Sequence, residues 1–599
     1  MRIDPAALLL AAAALAGCGG GGSGAGAAPA TGAPPVAELT PADVQRIVAQ
    51  AVAEAQARGV RANVAVVDRV GNVLGTYAMQ GASADTVAIS SGRGVDGGLE
   101  GTRDVPAILA ALSKAMTGAY LSSNGNAFST RTAGQIVQEH FNPQELGQPA
   151  GPLFGVQFSQ LPCSDVNLPG AAGTAGPKRT PLGLSADPGG LPLYKNGVLA
   201  GGIGIEADGV YGLDRDVVDI DQSPEELVAV AGSFGFAAPA DIRGDRITAD
   251  GRTFRYVDSA SLATNPAMAP ALASLPVASI AAGSGFVARA SGASPGTPAS
   301  GLAPADPSGF GEAQVLVDAA GAARYPVRAG GDGLLAADEV RMLLVQALGV
   351  ARRTRAQIRR PLGSHAQVNI SVVDTRGEVL GFVRTPDAPV FGIDVSAQKA
   401  RTALFFSLAS AYASVAALPT ARYLDDARVF LASPGEFTGI TAWTTRAVGN
   451  LHRPFYPDGV RGAPHGPFST PFERWSPFNT GLQLDLAQAA VLAALGGGTV
   501  AGCVPGTVLR NGMQVFPGGV PVYRGGVLIG AIGVSGDGVD QDDMVAYLAV
   551  SRAASGTGLG HAPAPIRADR YAPHGARLRY VQCPQAPFVD SSEQNVCAP

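Results

Sequence analysis

The strongest constraint on the fold of this chain is a long internal duplication. Residues 188–210 return as residues 517–539, with 14 of 23 positions identical and no gap. Two further pairs keep the same order along the chain: residues 63–75 with 369–381, and residues 242–257 with 566–581. A period of roughly 300 residues is far longer than the repeat unit of a solenoid. The sequence therefore predicts two duplicated domains, and function has to be sought in each of them.

The repeat limits and the local composition divide the chain into six predicted segments. They are a signal peptide (1–18), a flexible tether (19–37), a first domain (38–260), a linker (261–332), a second domain (333–585) and a C-terminal tail (586–599). The linker is predicted because Ala, Ser, Gly and Pro dominate most of it without sustained periodicity. Each domain is long enough to bury a core of its own.

The N-terminus has the pattern of a bacterial lipoprotein signal. An apolar run at residues 6–14 follows Arg2 and leads to Leu15-Ala16-Gly17-Cys18. We expect cleavage before Cys18, acylation of that cysteine and stable anchoring in a membrane surface. The predicted location is the cell envelope, on the periplasmic side of the outer membrane or at the cell surface.

Cysteine count and net charge limit the chemistry of the mature chain. An even number of cysteines in an exported protein favours disulfides. They are Cys163, Cys503, Cys583 and Cys597. Cys583 with Cys597 is the natural local pair, which leaves Cys163 and Cys503 to bridge the two domains, although the sequence leaves the other two connectivities open. The net charge of −5 is scattered, so no basic face for nucleic acid is predicted.

The order of elements is the same in both domains. Each opens with a helix, and the first of these starts at a capping Thr40 followed by Pro41. A β-hairpin, a second helix, another hairpin and a last helix follow. This order predicts an antiparallel sheet flanked by helices.

Short motifs in that order are similar to those of a known family. In the first domain they are Leu39-Thr40 with Asp43, Val66-Val67-Asp68 with Gly71, Lys114-Ala115 with Thr117, and residues 202–205; in the second they are Val372-Val373-Asp374 with Gly377, Lys399-Ala400 with Thr402, and residues 530–536 with Gln541-Asp542. Each half thus resembles the GlcG/HbpS family of haem-binding proteins, and the second half does so more closely. The resemblance implies a profilin-like α/β (α+β) domain, often oligomeric, that binds haem (heme) or a related tetrapyrrole. A first-helix histidine coordinates iron in some members, whereas residues 40–58 and 336–354 contain none.

Two lysines and two threonines are candidate cofactor-binding residues. Lys114 and Lys399 occupy equivalent positions in a chain that has only four lysines. Each ammonium is predicted either to pair with a propionate or carboxylate of a ligand, or to cap a carbonyl or pair with Asp68 or Asp374 of its own domain. Thr117 and Thr402 follow on the same helix face and either share the ligand pocket or bond back to their own helix.

Arginine and histidine supply the remaining candidates. Arg131 and Arg446 lie in matched segments and either clamp a carboxylate or fix the insert to the core. His140 and His452 follow those segments and are the first candidates for haem-iron ligands, the alternative being a hydrogen-bonded or surface histidine.

The function predicted from these observations is haem or tetrapyrrole binding by a membrane-anchored envelope lipoprotein, for uptake, storage or sensing. An alternative is an enzyme that acts on haem or on a small hydroxy acid, although no catalytic residue and no metal ligand stands out. A third is a structural or interaction protein without a small ligand. A homo-oligomer is left open.

Overall fold

The computed structural model describes residues 37–81, 86–141, 147–170, 173–216, 218–280, 292–293 and 297–597. The predicted signal peptide, Cys18 and almost all of the tether lie outside the described residues. No helix in the described ranges is long and apolar enough to cross a membrane.

The helices and strands follow the predicted order in both halves. The helices are α1 Pro41–Ala57, α2 Ala107–Leu121, α3 Thr130–Ile136, α4 Pro224–Gly232, α5 Pro307–Phe310, α6 Ala337–Ala351, α7 Phe391–Ser407, α8 Ala411–Val415, α9 Ala421–Phe430, α10 Thr445–Asn450, α11 Leu482–Leu495 and α12 Val539–Ala553. The strands are β1 Asn63–Asp68, β2 Val73–Met79, β3 Thr86–Ile89, β4 Val105–Pro106, β5 Gly190–Lys195, β6 Val198–Glu206, β7 Val210–Tyr211, β8 Thr248–Ala249, β9 Arg252–Thr253, β10 Val277–Ser279, β11 Leu302–Pro304, β12 Gln314–Leu316, β13 Val368–Val373, β14 Val379–Arg384, β15 Gly519–Arg524, β16 Val527–Gly536 and β17 Leu559–Gly560.

Each half contains an antiparallel sheet of the same topology. The first half has the strand order β10-β2-β1-β6-β5, and the second has β11-β12-β14-β13-β16-β15-β17. The order β2-β1-β6-β5 in the first half corresponds strand by strand to β14-β13-β16-β15 in the second. The predicted α/β fold with antiparallel sheets flanked by helices is confirmed.

Local sequence explains where these elements begin and turn. Thr40 caps α1, its hydroxyl accepting a hydrogen bond from the Asp43 amide while the Asp43 carboxylate accepts one from the Thr40 amide. The carboxylate of Asp68 accepts the amides of Val70 and Asn72 and so builds the turn between β1 and β2. Asp374 has the same role between β13 and β14.

Helices cover both faces of each sheet. Along β1, Val64 and Val66 pack with α1 and α4, whereas Ala65 and Val67 pack with α2. Close approach of α2 to β6 requires glycine, because a Cβ at Gly204 would stand 2.0 Å from the Ala111 carbonyl oxygen. The glycines of this strand therefore serve backbone packing.

The two copies share their interior. Val36–Pro599 form one compact unit. Side chains of α2 and α7, the equivalent helices of the two copies, belong to one apolar cluster. Polar contacts reinforce it: Asp394 of α7 accepts hydrogen bonds from the Gln160 amide and the Ser164 hydroxyl of the first insert. The inserts at residues 122–187 and 419–516 meet in a second shared cluster.

Two disulfides have the pairing that the sequence favours. Cys163 is bonded to Cys503, and Cys583 to Cys597. The first bond joins the insert of one copy to the insert of the other, and both of its cysteines are buried.

The described parts of the linker supply edge strands. Within residues 261–332, β10 pairs with β2 of the first sheet. Strands β11 and β12 pair with each other, and β12 continues onto β14 of the second sheet. The segment thus extends both sheets.

Candidate functional site

Lys114 lies at the centre of a buried ion cluster in the first copy. Its ammonium nitrogen is 2.6 Å from a carboxylate oxygen of Glu225, 2.8 Å from Asp187 and 3.0 Å from Glu206. Burial alone lowers the pKa of the ammonium, but the three carboxylates outweigh it and hold the pKa well above its usual range. Burial raises the pKa of Glu206 to about 7 despite the nearby lysine.

Lys399 has different partners in the second copy. Its ammonium donates to the Asp542 carboxylate at 2.8 Å and to the Val534 carbonyl oxygen at 2.9 Å. It also lies 4.6 Å from the ring centroid of Phe516, in cation–π range. Burial outweighs the attraction of Asp542 and lowers the pKa of Lys399, and burial raises the pKa of Asp542 to about 7.

The two threonines have matching roles. The Thr117 hydroxyl donates to the Ser113 carbonyl oxygen at 2.7 Å and accepts the Ser185 amide at 2.7 Å. The Thr402 hydroxyl donates to its own helix at Gln398 and accepts the Gln514 amide at 3.0 Å. Each threonine therefore fastens the insert of its copy to the central helix.

Arg131 and Arg446 form ion pairs inside their own copies. Arg131 binds Glu226 at 2.7 Å. Its other carboxylate partners are Asp214, Asp221 and Asp258. Arg446 binds Asp543 and Asp540, each at 2.5 Å. In the first copy Lys114 pairs with Glu225 and Arg131 with the next residue, Glu226. In the second copy Lys399 pairs with Asp542 and Arg446 with the next residue, Asp543. Two adjacent acids of the last helix thus bind both cations in each copy.

His140 and His452 are both buried within the inserts. Nδ1 of His140 lies 2.5 Å from the Gln148 carbonyl oxygen, and the ring stacks on Phe455. Nε2 of His452 accepts the Gln483 amide at 3.1 Å, and burial lowers the pKa of this imidazole to about 3. No hydrogen bond joins either histidine to Lys114 or Lys399 in the described ranges. The assignment of the eight predicted side chains to haem stays a prediction.

Two groups of three carboxylates have the spacing of a metal site, but each already surrounds a cation of the protein. Asp187, Glu206 and Glu225 surround the Lys114 ammonium. The second group is Asp214, Asp221 and Asp258, which surrounds one nitrogen of Arg131. Charge neutralisation of these buried cations accounts for both groups.

A large groove opens in the insert of the second copy. Its volume is about 1110 Å³, and α9, α11, residues 465–474 and residues 500–505 line it together with Gly97 and Gly98 of the first copy. Cys503 is in this lining, so the disulfide between the copies forms part of the wall. The volume is slightly above the usual range of small-molecule sites, which is about 300–1000 Å³.

The groove combines an apolar wall with a few polar groups. Helix α11 presents Ala489, Ala490 and Ala493 to the groove, although a surface helix ordinarily has a polar outer face. His465 lies in the wall, half-buried, and burial lowers the pKa of its imidazole. No hydrogen bond or ring contact engages this imidazole within the described part of the chain.

Sequence reasoning missed this groove and its histidine. His465 has no counterpart in the first copy, so the duplication does not draw attention to it. The usable signal is in α11: residues 489–495 are all apolar, although a helix in an insert is expected to face solvent on one side.

Comparisons with known proteins agree with the resemblance. Residues 39–94, 344–442 and 479–551 match the family described as "Haem degrading protein HbpS-like", so the resemblance is confirmed in both halves, over a longer span in the second. No curated protein matched the sequence. Among solved structures, the PduOC:heme complex is 18% identical over 38% of this chain and 96% of its own, with a TM-score of 0.19. The Klebsiella pneumoniae protein ORFY, described as DUF336, is 18% identical over 34% of this chain and 94% of its own, with a TM-score of 0.20.

Proposed function

Because both halves of this chain contain HbpS-like segments, we propose that the protein binds haem or a related tetrapyrrole, and that the groove lined by α9 and α11 is the binding site. The observation that carries this proposal is His465. It supplies a free imidazole in the wall of an apolar groove large enough for a tetrapyrrole. The matched segments include the whole of α9 and of α11.

The donor set of the groove suits haem. An imidazole is a common ligand of haem iron, and it has to be neutral to coordinate. The lowered pKa of His465 keeps it neutral at pH 7. Arg474 is exposed in the same lining and makes no ion pair within the described ranges, so its guanidinium is available to a propionate. Bound haem supplies the redox-active iron.

Three polar side chains of the groove hold its two helices together. The Tyr423 hydroxyl of α9 donates to the Asp485 carboxylate of α11 at 2.6 Å. Arg422 approaches the same carboxylate at 3.2 Å. These contacts fix the width of the groove, which an inflexible macrocycle requires.

A haemin titration of the purified full-length protein, followed at the Soret band, tests the proposal. We expect a saturable shift that is lost in His465→Ala. His365→Ala is the matched control, because His365 is exposed and lies outside the groove. If the shift persists in His465→Ala and disappears in His140→Ala or His452→Ala, haem binds at the residues predicted from the sequence instead. A spectrum equal to that of free haemin contradicts haem binding altogether.

We further propose that the chain is a lipid-anchored protein of the cell envelope, acting in uptake, storage or sensing of its ligand. The support is the Leu15-Ala16-Gly17-Cys18 sequence together with two disulfides, which persist in oxidising compartments. Metabolic labelling with a fatty acid is expected to mark the wild-type protein and to leave Cys18→Ser unmarked. An unlabelled wild-type protein would contradict the anchor.

A further inference from the structure

A second cavity lies where the first insert meets the second copy. Its volume is about 510 Å³, and it shares no lining residue with the groove. Residues 149–152 of the first copy form one wall. The second copy contributes Arg453, Tyr456 and a pair of exposed arginines, Arg577 and Arg579.

Arg453 is the unusual residue of this cavity. Only 8% of it is exposed, yet its Nε and Nη1 atoms are buried without a hydrogen-bond partner in the described part of the chain. The guanidinium is stacked over Phe154, at 4.7 Å from the ring centroid. A guanidinium carries five N–H donors, and a buried donor without an acceptor is unfavourable. The protein thus buries this guanidinium without providing hydrogen-bond acceptors for its Nε and Nη1 groups.

The nearest carboxylate, that of Asp458, does not accept a hydrogen bond from Arg453. An oxygen of Asp458 lies 3.4 Å from Nε, without hydrogen-bond geometry. The other carboxylate oxygen accepts the Ala150 amide at 3.0 Å. Burial lowers the pKa of Arg453 and the charge of Arg446 adds to that effect, while Asp458 opposes it. The buried guanidinium therefore has a counter-ion in Asp458, but its Nε and Nη1 groups donate no hydrogen bond in the described part of the chain.

The other charged groups of the cavity limit the charge of a ligand that could bind Arg453. Arg446 is already paired with Asp540 and Asp543. Asp250 and Asp540 also line the cavity and disfavour a ligand that carries more than one negative charge. The rest of the wall is partly apolar and includes Val515, Pro517 and Val539.

We infer that this cavity binds the carboxylate of a small organic monoanion on Arg453, with the carbon skeleton of the anion against the apolar wall. A guanidinium matches a carboxylate through two parallel hydrogen bonds, and no hydrogen bond from the Arg453 side chain to another described residue competes with them. Arg577 and Arg579 stand at the exposed side of the cavity and attract the anion, although Arg577 also pairs with Asp569 at 2.9 Å. The site is independent of haem binding in the groove.

Isothermal titration calorimetry of the full-length protein with sodium butyrate, at constant ionic strength, tests the inference. We expect saturable one-to-one binding that is at least about tenfold weaker in Arg453→Gln, as expected for loss of a charged hydrogen-bonded pair. Arg453→Lys keeps the charge without the fork and is expected to be intermediate. Arg328→Gln, an exposed arginine outside the cavity, is the matched control and is expected to bind normally.

Three outcomes would overturn the inference: no saturable butyrate binding, equal affinity in Arg453→Gln, or tighter binding of inorganic phosphate than of butyrate. If Arg453→Gln fails to fold by circular dichroism, the double variant Arg577→Gln/Arg579→Gln decides. Both side chains are exposed, so this variant is expected to fold and to bind butyrate several-fold more weakly. Unchanged affinity in the double variant would then overturn the inference.

Discussion

The two buried lysines occupy equivalent positions in the duplicated domains, but the charges around them differ. Lys114 is surrounded by three carboxylates, a formal charge of −2 if all groups ionise. Lys399 has the Asp542 carboxylate, a carbonyl oxygen and an aromatic ring. The first cluster has an excess of acid, whereas in the second burial lowers the pKa of the lysine.

The alignment of the copies explains the difference at two positions. Asp187 of the first copy corresponds to Phe516, and Glu206 corresponds to Ser535. The partner on the last helix is kept as an acid, Glu225 in one copy and Asp542 in the other. Both copies therefore keep the ion pair between the central helix, α2 or α7, and the last helix, α4 or α12, while the surrounding charges differ.

The largest expected effect is a loss of stability when each buried lysine is replaced, and this loss is expected to differ between the copies. Lys114→Met leaves three buried carboxylates without a cation, and we expect a loss of about 3–5 kcal/mol in the free energy of unfolding. Lys399→Met is expected to cost less, because it leaves one carboxylate, that of Asp542, without its cation instead of three. Equilibrium unfolding in urea of both variants measures the difference. An equal or larger loss in Lys399→Met would remove the distinction between the two clusters.

A smaller effect is expected from pH. Glu206 and Asp542 have ordinary pKa values of 4.5 and 3.8 when unfolded, and about 7 when folded. The folded state therefore binds more protons between about pH 4 and 7, and stability falls as the pH rises through this window.

Variants at these acids sharpen the comparison further. Glu206→Gln is expected to flatten this pH dependence while Lys114 keeps two carboxylates. Asp542→Asn also flattens it but removes the only carboxylate bound to Lys399, so stability is expected to fall at every pH. Thermal midpoints between pH 4 and 8 report both effects. A pH dependence unchanged by either substitution would contradict the assignment.

The smallest expected effect is a loss of stability that is the same in both copies. Thr117→Val and Thr402→Val each leave one insert amide, that of Ser185 or Gln514, without its acceptor. We expect each to cost about 1–2 kcal/mol, and both by the same amount, because the contacts match in the two copies. Urea unfolding of the pair serves as the internal control for the lysine variants. A clear inequality would show that the inserts are fastened differently.

The sequence predicts the repeated framework better than the site. Capping at Thr40, the turn at Asp68 and the strand glycines depend on neighbours in sequence, and all are found where the pattern places them. The partners of Lys114 come from three distant points of the chain, and pattern alone gives no means of choosing them over Asp68. Glu225 in particular has the position of an ordinary first-turn acid in α4.

Of the shared interior, the sequence predicted only the bridge between Cys163 and Cys503. Apolar residues of an insert show that it packs, but not that it packs against the other copy. His465 and Arg453 belong to such an insert and have no duplicated counterpart that would mark them. The predicted Arg446 lines the same cavity, and Arg453 directly follows the predicted His452.

The bond between Cys163 and Cys503 spans a sequence separation of 340 residues, and the predicted linker lies within that span. A protease that cuts the linker would therefore nick the protein without dividing it. The two fragments would stay covalently joined and would separate on a denaturing gel only after reduction. The two copies would thus remain one particle even after the chain between them was cut.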